Sequence, residues 1–292
     1  MPELPEVQTT VNGLNKTVKG RKIVGISTSY NSPFYKNKDE IKNPEFFKKF
    51  KKKVIGQKIL KAERRAKNVL IHLSDGHTII VHMKMTGHFV YDRPATKFVR
   101  LDFKLNNGKH LTLSDMRKFA KVTLVKTDEL EKSFHFEHLG PEPLEKNFQF
   151  PIFSSQLKKK PKGKIKQVLM DQSVISGIGN IYSDEILWRA GVHPLSHPGQ
   201  IPEKNFRAMF KAIKETLRKG IDFGGDSMSD YRNIKGEKGR FQNHHHAYRQ
   251  TDRACAKRGC GGVIKRIVVG ARSAHFCPAH QKLYLPRRQA GK

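Results

Sequence analysis

Short runs of Val, Ile, Leu and Phe separated by polar turns occupy residues 22–27, 69–73, 79–83, 99–105, 111–113 and 121–125. Runs of that length and composition predict β-strands. Asp75-Gly76 and Asn107-Gly108 each lie between two such runs, and both dipeptides tolerate the positive φ of a tight hairpin. An antiparallel β-sandwich is therefore expected, preceded by a helix from about Glu3 to Leu14. After Pro143 the spacing becomes helical. Phe206, Met209, Phe210, Ile213 and Leu217 recur at three- and four-residue intervals between Pro202 and Gly220. Residues 164–171 and 181–190 predict two more helices, joined by the glycine-bearing turn Ile175-Ser-Gly-Ile-Gly-Asn180. Residues 220–241 hold turn formers and few aliphatics, which predicts a mobile loop. The expected class is α+β, with a β-sandwich domain at 1–138, a helical domain carrying the loop at 146–241, and a cysteine-bearing module at 247–285.

Composition adds a partner. A chain of 292 residues with 37% hydrophobic residues and 18 Phe can build a substantial core. Its 57 Lys and Arg against 26 Asp and Glu leave a formal charge of +31, which calls for a polyanion, and nucleic acid is the obvious one. No stretch approaches the ~20 apolar residues of a membrane span, so no membrane partner is expected. The start MPELPEVQTT lacks the basic and apolar regions of a secretory signal, which predicts an intracellular protein.

All three cysteines lie near the carboxy terminus, as Cys255-x4-Cys260-x16-Cys277-x2-His280. Two short ligand pairs across a probable β-hairpin suit one structural Zn²⁺, with His275 a poorer alternative for the fourth position. Gly179-Asn180 opens a helix, where backbone amides can meet a phosphate, and Lys166 lies one helix upstream. From spacing alone, an ordinary Asn cap and a solvated lysine suit that segment better. Met85, Arg117 and Phe119 have the chemistry of duplex-filling wedges, although Met and Phe taken singly read as core. At the amino terminus, removal of Met1 would expose a secondary amine at Pro2, with a reference pKa of about 8. That amine can attack a sugar C1′ and form an iminium, while Glu3 exchanges protons with the opened sugar.

These residues resemble the formamidopyrimidine-DNA glycosylase and endonuclease VIII family over almost the whole chain. The matching segments are the PELPEV start at Pro2, Arg64-Arg-Ala-Lys67, His82-Met-Lys-Met-Thr-Gly87, Asp115-Met-Arg-Lys-Phe119, Gly140-Pro-Glu-Pro-Leu144, Leu169-Met-Asp-Gln172, Gly177-Ile-Gly-Asn-Ile-Tyr182 and the cysteine ribbon. The resemblance implies a monomeric bifunctional glycosylase and lyase that acts on damaged double-stranded DNA in a bacterial-type cytoplasm, at the nucleoid. Pro2 would be the Schiff-base nucleophile, Glu3 the proton donor, Lys67 the assistant in β-elimination and Arg272 the assistant in δ-elimination. Met85, Arg117 and Phe119 would fill the duplex, and Lys166, Asn180 and, more weakly, Lys160 would hold phosphates through a helix–two-turn–helix element. A loop beginning Gly224-Gly-Asp-Ser-Met-Ser-Asp-Tyr-Arg resembles the lesion-capping loop of the branch that prefers oxidised purines such as 8-oxoguanine. An oxidised-pyrimidine enzyme and a non-catalytic damage sensor are the alternatives.

Several positions depart from the family pattern. Met228-Ser229 replace a leucine and a basic residue in the loop, four residues instead of two separate the first cysteines, and His280 stands in place of a fourth cysteine. Both metal-site changes are compatible with zinc. The run His244-His-His246 has no family counterpart and reads as a solvated loop.

Overall fold

The amino-terminal strands form two four-stranded antiparallel sheets. β1 (Ile23–Thr28), β6 (Val99–Leu105), β7 (His110–Ser114) and β5 (His88–Tyr91) form one, in that order. β2 (Ile59–Arg65), β3 (Asn68–Leu73), β4 (His77–His82) and β8 (Lys121–Lys126) form the other. β3 and most of β4 and β7 are buried along their length. Leu101, Phe103 and Leu111 of the first sheet share a core with Val69, Ile71, Ile79 and Val122 of the second. Gly76 and Gly108 adopt φ of 77° and 79°, as the expected hairpin turns require. β2 and β5 lie outside the strands that hydrophobic runs predicted. The first is largely polar and the second has only four residues.

Helix α1 (Leu4–Thr17) packs on β2 and β3 and buries Leu4, Val7, Val11 and Leu14, a 3–4 spacing. Helix α2 (Pro44–Val54) was not expected from its lysine-rich sequence. Its amino end is capped by Asn43, whose side chain accepts the Glu45 N–H at 3.1 Å, and Phe50 and Val54 enter the same core.

The computed structural model describes residues 1–92, 98–228 and 230–286. The chain divides into two compact units, residues 1–137 with 220–242 and residues 138–219 with 243–292. Two expectations change here. The segment 220–242 belongs to the sandwich unit rather than to the helical domain, and the described part of it is pinned there. The Ile234 carbonyl accepts the Tyr91 N–H at 2.9 Å, and the Ile234 side chain fills the space left by Gly13, where a Cβ would lie 2.5 Å from it. Ser229 lies outside the described residues.

The second unit contains α3 (Phe150–Lys158), α4 (Ile165–Met170), α5 (Asn180–Ala190), α6 (Glu203–Asp222, up to Lys219) and the hairpin β9 (Lys265–Val269) and β10 (Arg272–Phe276). α3 was also unexpected, although its proline falls in the first turn, where a missing N–H costs nothing. Phe153 packs against Phe148, Phe206 and Phe210 with ring centroids 5.7–6.1 Å apart. The cysteine module is not a separate body, because β10 packs on α5. Among the described residues, no helix is long and apolar enough to cross a membrane.

β4 ends on His82, whose Nδ1 accepts the Lys84 N–H at 3.0 Å. Burial first, then the charges of Lys84 and Lys67, push its pKa down from 6.5 to about 3. A histidine held neutral in the fold but protonated below pH 6.5 in the unfolded chain contributes stability that is complete above 6.5. That contribution is lost as pH falls toward 3, at about 1 kcal/mol per pH unit. His82→Gln should flatten the dependence of unfolding free energy on pH between about 6 and 4, measured by urea titration. Parallel curves for the two proteins would refute this.

Candidate active site, duplex probes and metal centre

In the sandwich unit the amino terminus is held by a capping box. Glu3 is the N-cap of α1, and its N–H donates to Glu6 Oε2 at 2.7 Å. Both carboxylates are buried, at 2% and 1% exposure, and Pro2 is buried beside them. The second oxygen of Glu6 accepts the Asp226 N–H at 2.7 Å, and its carbonyl accepts the Tyr231 hydroxyl at 2.9 Å. Burial, reinforced by the Glu6 charge, raises the Tyr231 pKa and keeps it a neutral donor. Glu6 thus joins the start of α1 to the Gly224–Tyr231 loop. Nothing in the sequence alone gave Glu6 this role.

Lys67 sits in the turn between β2 and β3, where Ala66 has a positive φ of 54°. Arg64 secures that turn, with Nε donating to Gln8 Oε1 on α1 at 3.0 Å and Nη1 to the Ala66 carbonyl at 3.2 Å. Lys67 is itself buried, at 6% exposure, which is costly for an ammonium without a polar surround. Its charge is one of those that help hold the buried His82 neutral.

The expected probes stand on two connections of the same unit. Met85 is half-buried between β4 and β5, while Arg117 and Phe119 are exposed between β7 and β8. The Arg117 guanidinium lies over the Phe119 ring, 4.6 Å from its centroid. Lys84 and Lys118, each adjacent to a probe, adopt φ of 54° and 58°. Non-glycine residues hold that conformation only when their surroundings enforce it, and such strain gathers at functional sites. Asp115, which is fully buried, ties the two connections together. It accepts from Thr86 Oγ1, from the Ala120 N–H at 2.7 Å and from the Tyr30 hydroxyl at 3.3 Å. Thr86 in turn accepts the Arg117 N–H at 3.1 Å. Gly87 closes the first connection, and a Cβ there would meet the Met83 carbonyl at 2.4 Å.

In the helical unit, Gly179 is the N-cap of α5 and Asn180 begins the helix. Asn180 is therefore not the cap that its spacing suggested, and its side-chain oxygen has no hydrogen-bond partner among the described residues. Gln172 braces the preceding turn by donating to the Met170 and Ile178 carbonyls at 2.8 and 2.9 Å and accepting the Gly177 N–H at 2.9 Å. Lys160 is half exposed and bonded to Asp171. Lys166 is fully buried rather than solvated, and its ammonium lies 2.5 Å from Asp184.

The ligand atoms of Cys255, Cys260, Cys277 and His280 all lie within 4.8 Å of one another, a group that can hold a metal ion. His280 Nε2 faces the Trp188 carbonyl at 3.0 Å, so its proton belongs there and Nδ1 turns its lone pair toward the thiols. His275 lies outside this set, and its Nδ1 faces Asp184 at 3.0 Å. Arg272 is exposed at the start of β10. The histidine run is structural in part. The N–H groups of His246, Ala247 and Tyr248 all donate to the buried Glu185 at 2.9–3.1 Å, and the His246 ring stacks on Trp188 at 4.3 Å.

Residues 1–122 match the formamidopyrimidine-DNA glycosylase N-terminal domain, and residues 139–232 match the formamidopyrimidine-DNA glycosylase H2TH domain. The formamidopyrimidine-DNA glycosylase of Protochlamydia amoebophila is 38% identical over 97% of this chain and 100% of its own length, and that of Bacillus subtilis is 36% identical over 95% and 98%. A solved Lactococcus lactis Fpg in complex with abasic-site DNA is similar with a TM-score of 0.85 and 33% identity, covering 96% of this chain and 99% of its own. A variant of that enzyme bound to DNA containing Fapy-dG is equally similar, at 0.85 and 33%. The chain belongs to the formamidopyrimidine-DNA glycosylase family.

Proposed function

We propose that this protein removes oxidised purines from double-stranded DNA in the bacterial cytoplasm and then cuts the strand, with Pro2 as nucleophile. The observation that carries the reading is the capping box that fixes Pro2 and Glu3 at the head of α1 and ties both to the loop through Glu6. The Pro2 nitrogen attacks C1′ as the glycosidic bond breaks, and the base departs with the bonding pair and takes up the proton that the amine gives up. Glu3 is placed to protonate the ring oxygen as the sugar opens, and that opening yields the iminium. The iminium acidifies the C2′ proton, whose removal expels the 3′ phosphate. We assign that proton transfer to the surroundings of Lys67 and the later loss of the 5′ phosphate to assistance by Arg272. Met85, Arg117 and Phe119 are the groups proposed to occupy the duplex, offsetting the few kcal/mol that extrusion of a nucleotide costs.

We assign Zn²⁺ to the Cys255, Cys260, Cys277 and His280 set. Tetrahedral thiolate ligation at ~2.3 Å sets ligand atoms about 3.8 Å apart. The observed separations are 3.5 Å for Cys255 to His280 and 3.6 Å for both Cys260 to Cys277 and Cys260 to His280. Zinc there would stabilise the ribbon and take no part in the chemistry. Its removal by a chelator should unfold the ribbon and abolish strand cutting, whereas a metal-free protein of full activity would exclude the assignment.

Borohydride added during reaction with an 8-oxoguanine duplex should join protein to DNA, with the adduct mapping to Pro2 by mass spectrometry. An uncleaved Met1 makes the Pro2 nitrogen an amide and should abolish trapping. Trapping with Met1 attached, or an adduct at Lys67, would give the nucleophile's role to another group. Running the same assay with an oxidised-pyrimidine duplex decides the substrate branch.

Asp115→Asn should leave trapping on abasic single strands intact, because no base need be extruded there. Excision from duplex DNA should fall by about tenfold as Met85 and Arg117 lose their common support. Equal losses on both substrates would show that Asp115 serves the fold alone.

A further inference from the structure

Lys166 has the sequence context of a phosphate contact, yet its ammonium is turned inward. It lies 2.5 Å from Asp184 Oδ1 and donates to the Asn180 carbonyl at 3.3 Å. The other oxygen of Asp184 accepts the His275 N–H at 3.0 Å and faces His275 Nδ1 at 3.0 Å. Both side chains of the ion pair are only 1% exposed. One carboxylate therefore joins α4, the residue that opens α5, and the strand β10 that begins with Arg272.

The same helix holds the ribbon at two further points. Glu185 gathers the N–H groups of residues 246–248, and the Trp188 carbonyl receives His280. Those two anchor the approach to the ribbon and its metal end. Asp184 differs because it grips β10 itself, three residues beyond Arg272, or about 10 Å along the strand. A slip of β10 at His275 moves Arg272 with it, while Cys277, which follows the strand, is held by Gln281, whose side chain accepts the Cys277 N–H at 2.7 Å and donates to the Val192 carbonyl at 2.9 Å.

We propose that Asp184 is a positioning residue for DNA engagement, locking the Asn180 end of α5 and the Arg272 strand into one rigid element through Lys166 and His275. This rests on the reading that Asn180 and Arg272 act on DNA. Because an unpaired buried charge can unfold a protein, the informative variant replaces the pair together, as Lys166→Met with Asp184→Leu. This double variant should keep one zinc per chain, bind a lesion duplex about tenfold more weakly and give a smaller share of δ-elimination product. Wild-type affinity and product ratio in that variant would overturn the proposal. Loss of zinc would also overturn it, since Asp184 would then be needed to form the metal site. The double variant should also leave the salt dependence of binding unchanged, whereas a log–log slope reduced by about 0.9 would make Lys166 a phosphate contact after all. If the wild-type protein yields no δ-product, the role of Arg272 fails on its own, and the affinity measurement still decides the role of Asp184.

Discussion

A carboxylate taken out of water must have its oxygens filled by donors, and in this protein that requirement ties distant pieces of chain together. Glu6 draws the N–H groups of Glu3 and Asp226 onto its two oxygens. Asp115 draws Thr86, Ala120 and Tyr30, Asp184 draws Lys166 and His275, and Glu185 draws three consecutive amides. Each of these acids takes at least one donor from a segment outside its own element. Replacing Glu6 or Glu185 with an apolar residue removes more than one hydrogen bond, because it leaves two or three backbone N–H groups in the interior with no acceptor.

The consequence for chemistry is that groups on irregular connections acquire the precision of groups on strands. Met85 and Arg117 lie on separate turns with strained neighbours, yet the Thr86 and Asp115 contacts make their bases a single element. Pro2 precedes the first helical residue, where chain ends ordinarily fray, and the capping box removes that freedom. Preorganisation of this kind reduces the ordering that DNA binding must otherwise impose.

The sequence was most legible where a local rule is stringent. Asp75-Gly76 and Asn107-Gly108 announced their hairpins, Pro202 announced the start of α6, although the helix runs past Gly220 to Asp222 instead of ending before it, and the cysteine spacing identified a ligand set that lies within 4.8 Å. It was least legible where partners lie far along the chain. β2 is polar along much of its length because only Ile59 and Ala62 turn inward, and α2 hides its apolar face among lysines. Lys166 shows the limit most clearly. Nothing in a run of six lysines marks the one whose partner is Asp184, eighteen residues on. The loop at 220–242 read as mobile for the same reason, since Glu6 and Tyr91, which hold it, precede it by more than a hundred residues.

The same buried acids bear on how the protein meets DNA. Among the described residues, the buried acidic side chains are Glu3, Glu6, Glu40, Asp115, Glu142, Asp184, Glu185 and Asp226, whereas the buried lysines are Lys42, Lys67 and Lys166 and no arginine joins them. Among the described residues, eight acids thus lie inside, against three bases. Using acids rather than bases as internal ties has two effects at once. It supplies acceptors for the N–H donors that irregular connections would otherwise leave unsatisfied, and it withdraws negative charge from the surface that a phosphate backbone approaches. The surface is accordingly more basic than the overall charge of +31 implies, and the field that steers the protein to DNA arises partly from the groups that hold its site together.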